Sequence, residues 1–160
     1  MTETRWLTRD QQRAWVQLAA VMELLPRALD AQLEREQGLT HFDYFTLAML
    51  SEAENRTLRM TALAGFTAAT LPRLSRVVNK LSDQGLVERR PCPGDRRATN
   101  VVLTQAGWER VVAAAPGHVG TVRALVIDPL TDEQVTRLAE VTTALLRVLD
   151  PEARMVAPYR

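Results

Sequence analysis

The feature that most constrains the fold is an apolar stripe along residues 8–36. Apolar side chains recur there at intervals of three and four residues, at Trp15, Leu18, Ala19, Met22, Leu25, Leu29 and Leu33. This spacing is typical of an amphipathic helix. Such a helix is about 42 Å long at about 1.5 Å per residue, more than one small domain covers by itself. The stripe therefore predicts that a second subunit packs against it.

Threonines mark where further helices begin. Residues of this type stand in the N-cap position of predicted helices at Thr40, Thr61, Thr70, Thr104 and Thr131. Their hydroxyl oxygens accept hydrogen bonds from the free N–H groups of a first helical turn. Residues 67–69 form a predicted turn between a short helix, 61–64, and a longer one, 70–84.

A β-hairpin is predicted after the helix 70–84. Residues 86–90 and 99–103 are short apolar or β-branched runs, and residues 91–97 between them are rich in turn formers and arginine. Residues 58–60 are predicted as one short edge strand. The predicted fold is mainly α with a small β-hairpin: a winged helix-turn-helix at 57–104, carried by helical dimerisation regions at 1–56 and 105–160.

The charge of the chain is concentrated in its middle third. Residues 54–104 hold nine basic and four acidic side chains, a net charge of +5, whereas the remainder holds 11 basic and 15 acidic ones, a net charge of −4. A basic middle flanked by acidic ends indicates a polarised surface. It is compatible with DNA binding and also with ordinary solvated charge.

The helix that Thr70 begins has the pattern of a DNA-recognition helix. Leu71, Leu74, Val78 and Leu81 share one face, and Arg73, Arg76 and Lys80 share another. Arginine binds guanine edges or phosphates, and serine and asparagine bond to base edges or backbone. The predicted DNA contacts on this helix are Thr70, Pro72, Arg73, Ser75, Arg76, Asn79 and Lys80.

The tip of the hairpin supplies the second predicted contact. A helix, a turn, a second helix and a hairpin form the arrangement in which the second helix enters the major groove. The hairpin then acts as a wing, and Arg96 and Arg97 are predicted to reach the minor groove, where narrow A·T tracts attract arginine. A solvated loop tip is the alternative.

Residues 57–107 resemble the MarR family of bacterial transcription regulators. The resemblance rests on the segments 58–64, 71–78, 85–90, 95–97 and 103–107. Among these, Asp95-Arg96-Arg97 together with the Leu-Thr-x-x-Gly run at 103–107 is the more specific. Length and helix order match the family over nearly the whole chain.

The resemblance implies a homodimer that binds a pseudo-palindromic operator in double-stranded DNA as a repressor. It implies an interface built from the first and the last two helices, and it makes Asp95 and Arg97 a pair in which the carboxylate holds the guanidinium. Many relatives bind phenolic or aromatic acids, so Trp15, His41 and Phe45 are predicted to line such a site. The alternative is that Trp15 and Phe45 are core residues.

An enzyme is the rival class, and the sequence disfavours it. His41, His118 and Cys92 are the only histidines and cysteine, and no phosphate-binding loop or metal-ligand spacing occurs, so no catalytic residue, metal or cofactor is predicted. His41 is expected in a polar or subunit contact and His118 bonded to backbone groups near Pro116. The sequence indicates no membrane span or signal peptide, so a cytoplasmic protein is expected.

Two alternative functions remain open. Cys92 lies near Arg89 and Arg90, which can lower a thiol pKa, so a redox-responsive regulator is one. A silent thiol is the simpler interpretation. A winged helix used only for protein contacts is the other.

Overall fold

The computed structural model describes residues 4–155. Of Arg96 it describes the backbone and not the side chain. Its helices and strands are, in chain order, α1 (Arg9–Gln37), α2 (His41–Glu52), β1 (Thr57–Arg59), α3 (Met60–Phe66), α4 (Leu71–Asp83), β2 (Val87–Cys92), β3 (Asp95–Leu103), α5 (Gln105–Val122) and α6 (Asp132–Leu149). A 3₁₀ turn, Glu54–Arg56, precedes β1, and a π-helical segment, Arg123–Ile127, continues α5. The predicted winged helix-turn-helix fold is confirmed.

Four of the five predicted threonine caps are confirmed. Thr40, Thr70, Thr104 and Thr131 each accept a hydrogen bond from the backbone N–H group three residues further on. The prediction for Thr61 is wrong, because α3 begins at Met60 and its N-cap is Arg59, whose side chain forms no capping hydrogen bond within the described part of the chain. The reason is that β1 continues directly into α3, so the last residue of the strand already has the extended conformation of an N-cap.

The sheet has three antiparallel strands in the order β1-β3-β2. Leu58 pairs with Val101, and Val87 pairs with Leu103 at the base of the hairpin. Both hairpin strands are longer than predicted, since they continue to Cys92 and resume at Asp95. Pro93 and Gly94 form the turn, and Gly94 has φ +82°, a conformation that glycine adopts at low cost.

The main core lies between α2, α3, α4 and the sheet. Its fully buried side chains include Leu47, Leu50, Leu63, Leu74, Val78, Leu81, Val87 and Val101. Each such side chain contributes about 1.5–3 kcal/mol when it leaves water. This core includes α2, so the winged region from residue 57 packs as one body with a helix that precedes it.

The Leu-Thr-x-x-Gly run fastens the base of the wing to α5. Thr104 donates from Oγ1 to the Gly85 oxygen at 2.7 Å, and its N–H donates to the Leu86 oxygen at 3.1 Å. A Cβ atom at Gly107 would overlap the Leu86 oxygen and lie 2.6 Å from Leu103 Cδ1. Glycine is therefore required here by close packing, which explains this part of the motif.

The outer helices leave much of their apolar surface uncovered. On α1, Trp15 is 54% exposed and Met22 is 51% exposed, and only residues near the C-terminal end of this helix are buried. Within the described residues, α6 buries none of its side chains. In the same range no single helix is long and apolar enough to cross a membrane; only Gln105–Ile127 taken together with Asp132–Leu149, a pair bent by 96°, has the required length and composition.

Candidate nucleic-acid interface

A tight turn sets the angle between α3 and α4. Thr67 ends α3 and donates from Oγ1 to the Leu63 oxygen at 2.8 Å, and Ala68 has φ +48°. The N–H of Ala69 then donates to the Ala64 oxygen at 3.0 Å. These bonds close the turn predicted at 67–69, so that α4 begins immediately after it at Thr70.

The outward face of α4 is a stripe of four residues. Leu74, Val78 and Leu81 are buried against the core. Pro72, Arg76, Asn79 and Asp83 are exposed and recur at intervals of four, three and four residues, which places them opposite the buried face. Asp83 adds one acidic group at the C-terminal end of this face.

Two of the predicted basic contacts on α4 are held by α2. Lys80 Nζ lies 2.6 Å from Asp43 Oδ2, and the Arg73 guanidinium lies 4.2 Å from the centroid of the Phe42 ring. Ser75 accepts two hydrogen bonds from the Arg89 guanidinium of β2, at its backbone oxygen and its hydroxyl. No spacing in the sequence indicated these partners, because each lies on a different element.

Arg76 and Arg97 differ from the other described basic side chains of α4 and the hairpin. Arg73, Lys80, Arg89 and Arg90 all have partners, the last of them Glu88 at 2.7 Å. Within residues 4–155, the guanidiniums of Arg76 and Arg97 have no hydrogen bond, ion pair or ring contact, and both residues are exposed. An unpaired guanidinium is available to phosphates and base edges without first losing a protein partner.

The predicted grip of Asp95 on the Arg97 guanidinium is wrong for this conformation. Asp95 Oδ1 instead accepts a hydrogen bond from the Arg97 backbone N–H at 3.0 Å. The reason is that Asp95 is the first residue after the two-residue turn, where an aspartate side chain caps the backbone two residues on. The carboxylate thus shapes the wing tip. The side chain of Arg96, also a predicted contact, lies outside the described part of the structure.

Cys92 ends β2 with its thiol buried. The residue is 8% exposed and pairs across the hairpin with Asp95. Arg89 is bonded to Ser75 and Arg90 to Glu88. Both guanidiniums expected to activate this thiol are therefore engaged elsewhere.

An aromatic cleft of about 460 Å³ lies beside α2. It brings together two of the three predicted ligand-binding residues, His41 and Phe45. The described residues that line it are His41, Phe42, Tyr44, Phe45, Ala48, Thr67, His118 and Met155. Trp15 does not line it and lies exposed on α1. His118 was not predicted to line the cleft, because it lies far from His41 along the chain, on α5.

His118 contacts aromatic rings, so the expectation that it bonds to backbone groups is wrong. Its ring centroid lies 5.6 Å from that of His41 and 4.6 Å from that of Tyr44, and its Nδ1 atom is buried without a hydrogen-bond partner among the described residues. The helix α5 continues through Pro116 and Gly117, so the chain is not interrupted there.

Burial lowers the pKa of both histidines. For His41 the loss of water lowers the pKa, while the Asp30 carboxylate acts in the opposite direction. For His118 the loss of water is again the main cause, and the charge of His41 lowers the pKa further. The pair is therefore predominantly neutral near pH 7. Among residues 4–155 no group of three or more His, Cys, Asp or Glu side chains is arranged to hold a metal ion.

Comparison with known proteins agrees with the winged helix. A sequence model described as the MarR family matches residues 37–98. One similar structure is the crystal structure of Sco3205, a MarR family transcriptional regulator from Streptomyces coelicolor, in complex with DNA. The two sequences are 40% identical, the structures superpose with a TM-score of 0.90, and the match covers 94% of this chain and 94% of that chain.

Two curated relatives are similar over shorter stretches. The HTH-type transcriptional regulator YdcH of Bacillus subtilis (strain 168) is 34% identical over 83 residues, which are 51% of this chain and 56% of that protein. The transcriptional repressor MprA of Escherichia coli (strain K12) is 25% identical over 116 residues, which are 72% of this chain and 65% of that protein. The chain therefore spans somewhat more than half the length of these relatives. All the proteins named are transcriptional regulators rather than enzymes, which confirms the class predicted from the sequence.

Proposed function

Since the chain belongs to the MarR family of transcriptional regulators, we propose that it binds double-stranded DNA sequence-specifically as a homodimer and represses transcription. The observation that carries this proposal is the pair of unpartnered guanidiniums: Arg76 lies on the second helix of the helix-turn-helix and Arg97 near the tip of the wing. The DNA complex of Sco3205 and the name of the repressor MprA support it. The cytoplasm is the compartment in which such a protein acts.

The proposed contacts divide between the two grooves. Arg76 enters the major groove, with Thr70, Pro72 and Asn79 beside it on the exposed side of α4. Arg97, together with Arg96, enters the neighbouring minor groove, and Asp95 keeps the wing tip in shape. In this proposal residues 57–104 contact the duplex.

The dimer is supported by the uncovered helices. Residues 1–56 and 105–160 contribute the outer helices, on which Trp15, Met22, Val119, Val141 and Leu145 are each more than 40% exposed. Burying this surface against a second copy contributes about 25 cal/mol per Å² of apolar area. A twofold axis then places two α4 helices about 34 Å apart, so the operator is an inverted repeat with half-sites one helical turn apart.

Selection from random duplexes tests the proposal. We expect the purified protein to enrich an inverted repeat and to bind it with a log–log salt slope near −5, about six neutralised phosphates. Arg76→Ala is expected to weaken binding by about 1–3 kcal/mol and to relax base preference. Arg147→Ala is the matched control, since Arg147 is exposed on α6, opposite its apolar row. Equal affinities for both variants contradict the proposal and favour a winged helix that contacts proteins only.

A second proposed function is release of DNA by a small aromatic or phenolic acid. It is supported by the aromatic cleft and by the buried Nδ1 atom of His118, which lacks a partner within the described range. We expect 4-hydroxybenzoate to weaken operator binding by the unaltered protein and to have no such effect on His118→Leu. Equal inhibition of both proteins contradicts this assignment. The redox alternative has weaker support, because the Cys92 thiol is buried.

A further inference from the structure

Two basic side chains of α4 converge on the first turn of α2. Lys80 reaches Asp43, and Arg73 lies over Phe42. Arg73 and Lys80 are seven residues apart, about 10.5 Å along the helix axis at about 1.5 Å per residue. Their partners are consecutive in the chain. Contacts from two points on α4 to one point on α2 restrict both the tilt and the sliding of α4 relative to α2.

The buried carboxylate of Asp43 is paired with the ammonium group of Lys80. The Asp43 side chain is 2% exposed, and Oδ2 accepts a hydrogen bond from the Thr40 N–H at 2.9 Å in addition to the contact with Lys80 Nζ at 2.6 Å. A buried carboxylate without a cationic partner is unfavourable. Lys80 is the cation within reach among the described residues, so moving it to a DNA phosphate would leave this carboxylate unpaired.

Arg73 has a weaker attachment of another kind. Its guanidinium lies at 4.2 Å from the Phe42 ring centroid, which is the distance of a cation–π contact. Phe42 also lines the aromatic cleft. Arg76 lies between Arg73 and Lys80 in sequence, has no such partner in the described chain and belongs to the outward stripe.

We propose that Arg73 and Lys80 are positioning residues that hold the recognition helix α4 against α2, and that they do not contact DNA. This inference rests on the proposed DNA binding and divides the basic residues of α4 into two classes. Arg76 meets the duplex, whereas Arg73 and Lys80 determine the angle at which α4 is presented to it.

Salt dependence separates the two roles. Operator affinity is measured by fluorescence anisotropy at several salt concentrations for the unaltered protein, Lys80→Gln, Arg73→Gln and the matched control Arg76→Gln. A lost phosphate contact makes the log–log slope less negative by about 0.9. We expect this change, or a relaxed base preference, for Arg76→Gln only. Lys80→Gln and Arg73→Gln are expected to weaken binding several-fold at every salt concentration with the slope unchanged.

Double-mutant cycles give a second, independent readout. If Lys80 acts through Asp43, Asp43→Asn and Lys80→Gln together weaken binding no more than Asp43→Asn alone. Asp43→Asn changes a buried carboxylate, so a second cycle, Phe42→Leu with Arg73→Gln, repeats the test while leaving that carboxylate in place. Thermal unfolding checks that each variant is folded. We expect strong non-additivity in both cycles.

The outcomes are distinguishable. This inference is overturned if Lys80→Gln or Arg73→Gln makes the log–log slope less negative by about 0.9 and if its loss of binding free energy adds to that of the α2 variant. The proposed function would remain intact. Failure of the unaltered protein to bind any selected duplex overturns the proposed function, and this inference with it.

Discussion

Replacing Gly107 by alanine is expected to destabilise the protein strongly, in contrast to the same change elsewhere on α5. At Gly107 a Cβ atom would overlap the Leu86 backbone oxygen and approach Leu103 Cδ1 to 2.6 Å. Overpacking typically costs about 1–3 kcal/mol. Displacing Leu86 also weakens its hydrogen bond with the Thr104 N–H, which contributes about 1 kcal/mol.

The gain in helix propensity only partly offsets this cost. Alanine is about 1 kcal/mol more favourable than glycine inside a helix. The net loss at Gly107 is therefore about 1–3 kcal/mol. At Gly120 a Cβ atom would meet no atom of the described residues within 4 Å, so the propensity gain of about 0.5–1 kcal/mol remains. The effect of alanine at Gly117 on stability is expected to lie between these two, because the atoms that a Cβ would meet there are the flexible ends of Glu36 and Gln32.

Urea unfolding followed by far-ultraviolet circular dichroism measures the difference, at one fixed protein concentration because a dimer is expected. With a slope of about 2 kcal/mol per M, Gly107→Ala is expected to lower the midpoint by about 0.5–1.5 M. Gly120→Ala is expected to raise it by about 0.3–0.5 M on the same slope. Equal midpoints for these two variants would refute the argument that close packing at the base of the wing requires glycine.

Three further outcomes are expected. Burial lowers the pKa of His41 and His118 below 6.5, so the unfolded chain binds more protons than the folded one, and the urea midpoint is expected to fall as the pH drops through 6.5. The double variant His41→Gln with His118→Gln is expected to flatten this pH dependence. A midpoint that rises on acidification contradicts the prediction. Since the Cys92 thiol is buried, peroxide is expected to leave duplex affinity unchanged; a loss that Cys92→Ser prevents would instead establish the redox alternative. Leu145→Asp, on the exposed apolar row of α6, is expected to produce monomers in size-exclusion chromatography, whereas Arg147→Asp, on the opposite face, is not; an unchanged dimer in both variants contradicts the proposed interface.

Local signals in the sequence were sufficient for most elements of the fold. Thr40, Thr70, Thr104 and Thr131 each cap the helix that they were predicted to begin, since capping depends only on residues three positions apart. The wing was predicted too short, because turn-forming residues at 91–97 also fit strands. Pairing of Pro91 with Thr99 and of Cys92 with Asp95 extends the hairpin beyond Arg90.

Partners of individual side chains could not be predicted in the same way. Lys80 and Asp43 are 37 residues apart, so their contact exists only after α2 and α4 have packed together. The same holds for Arg89 with Ser75 and for His118 with Tyr44. Composition indicated a basic middle of the chain, whereas the three-dimensional structure was needed to separate the unpaired guanidiniums of Arg76 and Arg97 from the other described basic side chains of α4 and the hairpin, which have partners.

The mass of the protein–DNA complex is the most direct test of the central claim, that two copies of the chain present α4 and the wing to one duplex. Sedimentation of the purified protein with a selected operator at low ionic strength is expected to give two 17.9 kDa chains on each duplex. A complex with a single chain per operator, or no complex at all, would contradict the account.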